Sequence, residues 1–140
     1  MGIFIKNEKD LAALVLRVGF GFFMAFGHGL GKLQMLLSGN VAFPALFGVS
    51  PTINLILAIF AEFLAAILVI VGLKTRLASV PIIFTMGVAA FVVHFSDPLF
   101  MASAAGGGSK EMALLFLLGF LGTFFLNSGK YSLDAMISKK

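Results

Sequence analysis

The feature that most constrains this chain is a series of four long apolar segments, because about 20 mainly apolar residues can cross a bilayer as a helix. The segments cover residues 11–31, 53–73, 77–95 and 112–127. They are too long and too rich in leucine and phenylalanine for barrel strands, which alternate polar and apolar residues. Helices also satisfy every backbone hydrogen bond internally, as lipid requires. The sequence therefore predicts an all-α integral membrane protein.

The composition is typical of a chain whose solvent is lipid. Hydrophobic residues make up 60% of it, charged residues make up 11%, and the mean hydropathy is +1.09. The 140 residues have the length of one domain, so we predict a single four-span membrane domain over residues 1–140. The first span is interpreted as an anchor rather than a cleaved signal peptide, because its apolar stretch is longer than a signal h-region.

Basic residues near the ends of the segments predict the orientation, because lysine and arginine favour the cytoplasmic side. Four crossings would place one group of them on a single side: Lys6, Lys9, Lys74, Arg76, Lys130, Lys139 and Lys140. We therefore predict a four-helix bundle with antiparallel up-down-up-down order and both termini in the cytoplasm. The positive residues behind the net charge of +4 are interpreted as setting the membrane orientation and contacting anionic lipid headgroups. No nucleic-acid partner is expected.

The chain contains no cysteine. It therefore cannot itself carry a thiol relay, a disulfide exchange or an iron–sulfur cluster. If the protein takes part in sulfur chemistry, a partner holds the sulfur.

Ionisable side chains in or beside the apolar segments are the candidates for function. An arginine or lysine at the centre of a membrane helix costs about 2.5 to 3.5 kcal/mol to insert, whereas each large apolar residue returns only about 0.3 to 0.6 kcal/mol. Such groups commonly mark substrate or proton paths. The candidates are Arg17, His28, Lys32, Glu62, His94 and Glu111.

Helical spacing predicts that several of these side chains face inward. Arg17 and His28 are eleven positions apart, which at 3.6 residues per turn brings them within about 20° of each other. Lys32 follows His28 by one turn. Small residues lie at a spacing of four along the edge of the same face: Gly21, Ala25 and Gly29. Glu62 shares its helix face with several alanines. Because small residues let membrane helices approach closely, these faces are predicted to point into the bundle.

Depth along the helices indicates which groups can meet. At about 1.5 Å per residue, Arg17 lies roughly 10 Å and Glu62 roughly 16 Å from the cytoplasmic ends of their helices, so an Arg17–Glu62 ion pair is predicted. The other groups fall in the external half and are predicted to wall a pocket that opens outward, with Glu62 at its floor. Catalytic roles are assigned to Glu62 and His28. Substrate binding is assigned to Arg17, Lys32, His94 and Glu111.

Simpler interpretations exist for several of these residues. The long side chain of Arg17 can reach the headgroups, and Lys32 can anchor a helix end at the interface. His94 can be a helix-end residue, and Glu111 suits the positive end of its helix dipole. The two histidines also permit a bis-histidine haem, or a metal site completed by a glutamate. Nothing else marks a haem pocket, and no metal site is predicted.

Short motifs in a fixed order give the chain a family resemblance. They are Leu16-Arg17-Val18, His28-Gly29 followed by Lys32-Leu33, Glu62 before a small-rich run to Gly72-Leu73, Thr75-Arg76-Leu77-Ala78, the histidine that closes the third span, and Gly129 followed by Tyr131-Ser132-Leu133-Asp134. With these motifs the chain resembles the DoxX family of small four-span membrane proteins of bacteria and archaea. The resemblance covers nearly the whole chain.

The resemblance implies a subunit of a membrane redox complex in a bacterial or archaeal cell membrane. In thiosulfate:quinone oxidoreductase, a DoxX-type subunit pairs with a DoxD-type subunit, and thiosulfate is joined to tetrathionate while electrons pass to quinone. Other members look like partners of superoxide dismutase and a thiosulfate sulfurtransferase in oxidative-stress defence. Whether this chain is itself catalytic is left open.

The leading hypothesis is a redox-complex subunit that binds a quinone or a small anion in the outward-opening pocket. Lys32 and a protonated His28 would supply positive charge to an anion or semiquinone. Glu62 would move protons, and Arg17 would hold Glu62 in place. The expected partners are the lipid bilayer and other membrane or peripheral redox subunits, with a homo-oligomer left open.

Two rival hypotheses come from different classes of protein. A non-catalytic scaffold would dock partner helices on small-residue faces such as the GxxxG pair of Gly27 and Gly31. A small proton-coupled transporter would use Glu62 as its protonation site, although four spans are few for this and no pair of broken helices is visible.

Overall fold

The computed structural model describes residues 7–100 and 108–138, so Lys6, Lys139 and Lys140 lie outside the described residues. Within these ranges the chain is helical and forms no β-strand. The helices are α1 (Glu8–Leu37), α2 (Pro51–Val71), α3 (Thr75–Val93), α4 (Glu111–Leu126) and the short α5 (Leu133–Ile137). By length and composition, α1, α2 and α3 are able to cross a membrane, and α4 is a shorter apolar helix of 16 residues.

Large apolar side chains cover the outer surface of the helices. Phe22, Phe23, Phe84, Phe91 and Phe125 are each more than half exposed. So much exposed apolar surface is rare on soluble monomers and is typical of contact with lipid tails. Together with the three long apolar helices, it confirms the predicted all-α membrane class.

Each of the four long helices packs against two of the others. In the described residues α1 contacts α2 and α4, and α3 contacts the same two helices. The buried core between them is apolar and includes Met24, Ala25, Val69, Ile82 and Phe120. Small residues are frequent in this core, as expected where membrane helices approach closely.

Two helix ends differ from the predicted spans. The first span is predicted to end at Gly31, but α1 continues to Leu37, because residues 32–37 contain no glycine or proline. Lys32 therefore lies inside a helix rather than at its end. The third helix ends at Val93, and His94 has already left helical geometry, with φ −96° and ψ 26°.

In the described part of the chain, three helices contain a π-helical segment, in which hydrogen bonds run from residue i to i+5. The segments are Phe23–Gly29 in α1, Phe60–Ala65 in α2 and Ala89–Val93 at the end of α3. Such segments are rare and are frequently found at functional sites. The segments of α1 and α2 contact each other. They contain His28 and Glu62, and His94 directly follows the third segment.

One end of the molecule is built by the start of α1, the α2–α3 turn and the tail after α4. The backbone N–H of Lys130 donates to Asp10 Oδ1 at 2.9 Å, and that of Lys74 donates to Asp134 Oδ1 at 3.0 Å. The turn follows from Gly72, whose φ of +73° ends α2 in a left-handed conformation that glycine adopts without strain.

Candidate functional site

An ion pair between α1 and α2 is the centre of the candidate site. Lys32 Nζ donates a hydrogen bond to Glu62 Oε2 at 2.6 Å. The Glu62 side chain is 5% exposed and the Lys32 side chain 21%. Because an unpaired charge in an apolar interior is costly, each group supports the burial of the other.

Gly29 lets the two helices approach each other beside this pair. A Cβ atom at Gly29 would lie 2.5 Å from the carbonyl oxygen of Glu62 and 2.7 Å from the amide nitrogen of Phe63. Real Cβ atoms do not come this close to backbone atoms, so only glycine fits here. The small-residue face predicted for α1 is confirmed at this position.

The ion pair lines a cavity of about 340 Å³ between α1, α2 and α3. His94 lines the same cavity, so the structure brings together Lys32, Glu62 and His94 as predicted. The rest of the lining is mainly apolar and includes Phe43, Phe47, Leu57, Phe84, Val88 and Val93. A mainly apolar cavity with a few converging polar groups is typical of small-molecule sites. We call it the Lys32–Glu62 cavity.

The loop between α1 and α2 forms one side of this cavity, and Asn54 holds the loop. Asn54 Nδ2 donates to the carbonyl oxygens of Pro44 at 3.2 Å, Leu46 at 3.4 Å and Val49 at 3.2 Å. Phe47, at the tip, has a φ of +54°, which is uncommon for a bulky residue. The amide of Asn54 thus fixes a tight turn that brings aromatic side chains over the cavity.

His94 is held at the cavity by an acidic neighbour. Its Nδ1 lies 2.6 Å from Asp97 Oδ2, and each side chain is 35% exposed. This contact orients the imidazole ring. His94 is therefore both a helix-end residue and a cavity residue, so the two interpretations of it do not compete.

His28 does not share this cavity, which corrects the predicted pocket. It lines a separate groove of about 480 Å³ between α1 and α4. Its ring makes an edge-to-face contact with Phe116, with centroids 5.1 Å apart. The rest of the groove is apolar and includes Val15, Leu16, Phe20, Phe23, Met112 and Leu115. Since His28 and His94 line different cavities, a bis-histidine haem has no common pocket.

Arg17 does not pair with Glu62, so the predicted ion pair was wrong. Its Nη1 donates to the carbonyl oxygen of Ile70 and its Nη2 donates to that of Tyr131. Arg17 is 2% exposed. Carbonyl groups in the last turn of a helix lack partners within the helix, and a cation there is also favoured by the helix dipole. Arg17 therefore ties the C-terminal end of α2 to the tail and lines neither cavity.

Arg17, the α2–α3 turn and the tail after α4 together form what we call the Arg17 cluster. Asp134, in the tail, belongs to it. Burial alone would raise the pKa of the Asp134 carboxyl. The backbone N–H groups of Lys74 and Thr75 and the hydroxyl of Ser128 donate hydrogen bonds that outweigh burial. Together with the charge of Lys74, these bonds hold the pKa of Asp134 below its ordinary value of 3.8.

Glu111 is also outside the candidate site. It is the first residue of α4, where a carboxylate is favoured by the helix dipole, and it lines neither cavity. Within residues 7–100 and 108–138, no three His, Asp or Glu side chains lie close enough together to hold a metal ion.

Two parts of the arrangement were missed by sequence reasoning. Asn54 is a single polar residue near a helix start, and nothing in its neighbours indicates that it collects three carbonyl groups. The Arg17 cluster had a signal, because the motifs around Arg17, Gly72 and Asp134 all meet in it. In the sequence these motifs carry the family resemblance, and their contact appears only in the structure.

The Lys32–Glu62 cavity combines a cation, a carboxylate and an imidazole in apolar surroundings. Lys32 can donate hydrogen bonds to a carbonyl or an anion, and Glu62 and His94 can each hold or release a proton. The residues of this chain thus suit a small polar headgroup or anion whose binding involves protons.

Comparisons with known proteins agree with the membrane fold. A model of the DoxX family matches residues 12–95, which is more than half of the 140-residue chain and contains all three ionisable cavity residues. No curated protein and no solved structure shows a significant match to the chain. The chain therefore belongs to the DoxX family.

Proposed function

We propose that this chain is a subunit of a membrane redox complex, and that the Lys32–Glu62 cavity binds a quinone headgroup or a small anion. The observation that carries the proposal is the convergence of Lys32, Glu62 and His94 on one otherwise apolar cavity. Reduction of a quinone by two electrons consumes two protons, and these groups are suited to hold and deliver protons. Since the chain has no cysteine, the electrons come from a partner subunit.

The proposal includes a topology. All four long helices cross a bacterial or archaeal cell membrane as an antiparallel up-down-up-down bundle, with both termini in the cytoplasm. Support comes from the end at which the start of α1, the α2–α3 turn and the tail meet. The described basic residues of these segments are Lys9, Lys74, Arg76 and Lys130, and basic residues favour the cytoplasmic side. The cavity then lies toward the external half.

The test is a binding titration of the purified protein in detergent. The ligands are a soluble short-chain quinone, thiosulfate and the monovalent anion thiocyanate. Lys32→Met should weaken binding about tenfold or more, since a hydrogen bond to a charged group contributes about 1.5 to 3 kcal/mol. Lys110→Met is the matched control, because Lys110 is a lysine that lines neither cavity, and it should bind as the wild type does.

His28→Ala separates the two cavities in the same titration. If the ligand occupies the Lys32–Glu62 cavity, this variant keeps wild-type affinity. Loss of quinone binding in His28→Ala alone would place the quinone in the α1–α4 groove instead. The proposal is wrong if none of the ligands binds, with or without membrane partners, or if Lys32→Met and Glu62→Gln both bind as tightly as the wild type.

A non-catalytic scaffold is the second candidate, and the position of one glycine pair favours it. Gly27 and Gly31 are exposed, and a Cβ atom at either would meet nothing within 4 Å. Such a pair would let a helix of another protein approach α1 closely. In this case Gly27→Leu or Gly31→Leu breaks a complex isolated from native membranes, while Glu62→Gln leaves it intact. A complex that survives both glycine substitutions would contradict the scaffold.

A further inference from the structure

The charges that face the Lys32–Glu62 cavity are few and nearly cancel. Lys32 and Glu62 neutralise each other at 2.6 Å. His28, one turn before Lys32 on α1, lines the separate groove toward α4, and His94, at the end of α3, is paired with Asp97. The α1–α2 loop that covers the cavity, residues 38–50, contains no charged side chain, and neither do the α3 residues of the lining. The cavity therefore has one full cation, Lys32, and this cation is already paired with the carboxylate of Glu62.

An anion cannot simply be added to such a cavity. If Glu62 stayed ionised, an anion bound to Lys32 would bring two negative charges within a few ångströms of each other in apolar surroundings, where charges are poorly screened. If Glu62 takes up a proton, its carboxyl group becomes neutral and can donate a hydrogen bond. The ammonium group of Lys32 is then released for the anion.

We propose that the cavity binds a small monovalent anion together with one proton, which Glu62 takes up as the anion replaces its carboxylate on Lys32. This inference rests on the proposed function, because it names the ligand class and the coupling at the same site. The exchange balances in charge and atoms. Before binding, the cavity holds an ammonium–carboxylate pair. After the anion and the proton enter, it holds an ammonium–anion pair and a neutral carboxylic acid. The cavity is therefore neutral before and after binding.

The lining also selects among anions. Its aromatic and aliphatic walls offer little replacement for hydration water, so an anion that holds water weakly loses less on entry. A doubly charged anion would leave one charge uncompensated, since Lys32 is the single full cation among the lining residues. Thiocyanate should therefore bind more tightly than chloride, and sulfate should bind most weakly.

The test is calorimetric titration of the full-length wild-type protein with thiocyanate, at one pH in two buffers that differ in ionisation enthalpy. The difference in heat gives the number of protons taken up, which should be about one per anion. While Glu62 is ionised in the ligand-free protein, the affinity should fall about tenfold for each unit of pH, as linkage requires. This measurement needs no variant, so it holds even where a variant fails to fold.

Variants then identify the group that takes the proton. Glu62→Gln should bind thiocyanate with no proton uptake and no dependence on pH, because the neutral amide imitates the protonated acid. Lys32→Met should bind it about tenfold or more weakly than the wild type, and Lys110→Met should behave as the wild type. The inference is overturned if the wild type binds thiocyanate without proton uptake, or binds the quinone but no anion, and in both cases the proposed function stands. If neither quinone nor anion binds, the proposed function itself fails.

Discussion

At the residue scale, two cations on α1 bind different kinds of partner. Lys32 pairs with the carboxylate of Glu62 beside a cavity. Arg17 instead donates to the backbone carbonyl groups of Ile70, at the C-terminal end of α2, and of Tyr131, in the tail. The planar guanidinium presents several donors in a fixed fork, so it can bind carbonyls from two chain segments at once. Lys32 thus lies at a cavity, and Arg17 joins the end of α2 to the tail.

Arg17→Lys should destabilise the protein without changing ligand binding. A lysine keeps the charge but replaces two donor nitrogens, which reach Ile70 and Tyr131, with one. The expected loss is about 2 kcal/mol of unfolding free energy, seen as a lower thermal midpoint in detergent. Arg76→Lys is the control, because Arg76 is exposed and donates to a single carbonyl, and it should cost less than about 0.5 kcal/mol. Unchanged stability of Arg17→Lys, or weaker ligand binding, would contradict this role.

Asp134→Asn should reduce stability in a way that depends on pH. The folded-state pKa of Asp134 lies below its ordinary value of 3.8 because hydrogen bonds favour the ionised form. A depressed pKa gives stability that is fully present above the unfolded-state pKa and is lost as the pH falls through the folded-state pKa. Thermal midpoints of wild type and variant should therefore differ at pH 6 and converge below about pH 4. A difference that is constant from pH 6 to pH 3 would show that the charge of Asp134 contributes nothing.

At the element scale, the π-helical segments decide which side chains meet. Arg17 and His28 share a face at 3.6 residues per turn, but the segment Phe23–Gly29 separates them. Its i to i+5 hydrogen bonds wind more residues into each turn, so the two side chains leave α1 in different directions. Arg17 reaches the end of α2 and the tail, while His28 contacts Phe116 of α4.

This change in side-chain direction along α1 explains which parts of the structure the sequence could predict. Hydropathy is a local property, so the apolar helices and the inward faces of Glu62 and Gly29 were correctly predicted. The partner of each charged side chain depends on how one helix is rotated about its axis relative to the next. Neither such rotations nor π-helical segments can be detected from composition or from a 3.6-residue periodicity. The structure therefore places Lys32, Glu62 and His94 around one cavity, as the depth argument predicts, but leaves Arg17, His28 and Glu111 outside it.

Gly29→Ala should disturb the contact between α1 and α2, while Gly27→Ala should not. A methyl group at Gly29 would collide with the backbone of Glu62, but at Gly27 it would meet nothing within 4 Å. Alanine favours helix over glycine by about 1 kcal/mol, so Gly27→Ala should be neutral or slightly stabilising. Gly29→Ala should lower the thermal midpoint and also weaken ligand binding, because it displaces Lys32 from Glu62. Equal midpoints for the two variants would show that the close approach does not matter.

At the scale of the whole molecule, α1 contributes to two separate ligand-sized spaces. One is the Lys32–Glu62 cavity toward α2 and α3, and the other is the apolar groove toward α4 that contains His28. The Arg17 cluster closes the opposite end by joining the α2–α3 turn to the tail. The protein thus combines one end held by hydrogen bonds to the backbone with a cavity lined by a buried ion pair.

The most direct test of the central claim uses the absence of cysteine, because any introduced thiol is then unique. Thr85→Cys places a thiol in the Lys32–Glu62 cavity and Val15→Cys places one in the groove. The rate of maleimide labelling is measured with and without quinone or thiocyanate. The account predicts that ligand slows labelling of Thr85→Cys and leaves that of Val15→Cys unchanged. Protection at Val15→Cys alone, or at neither position, would contradict it.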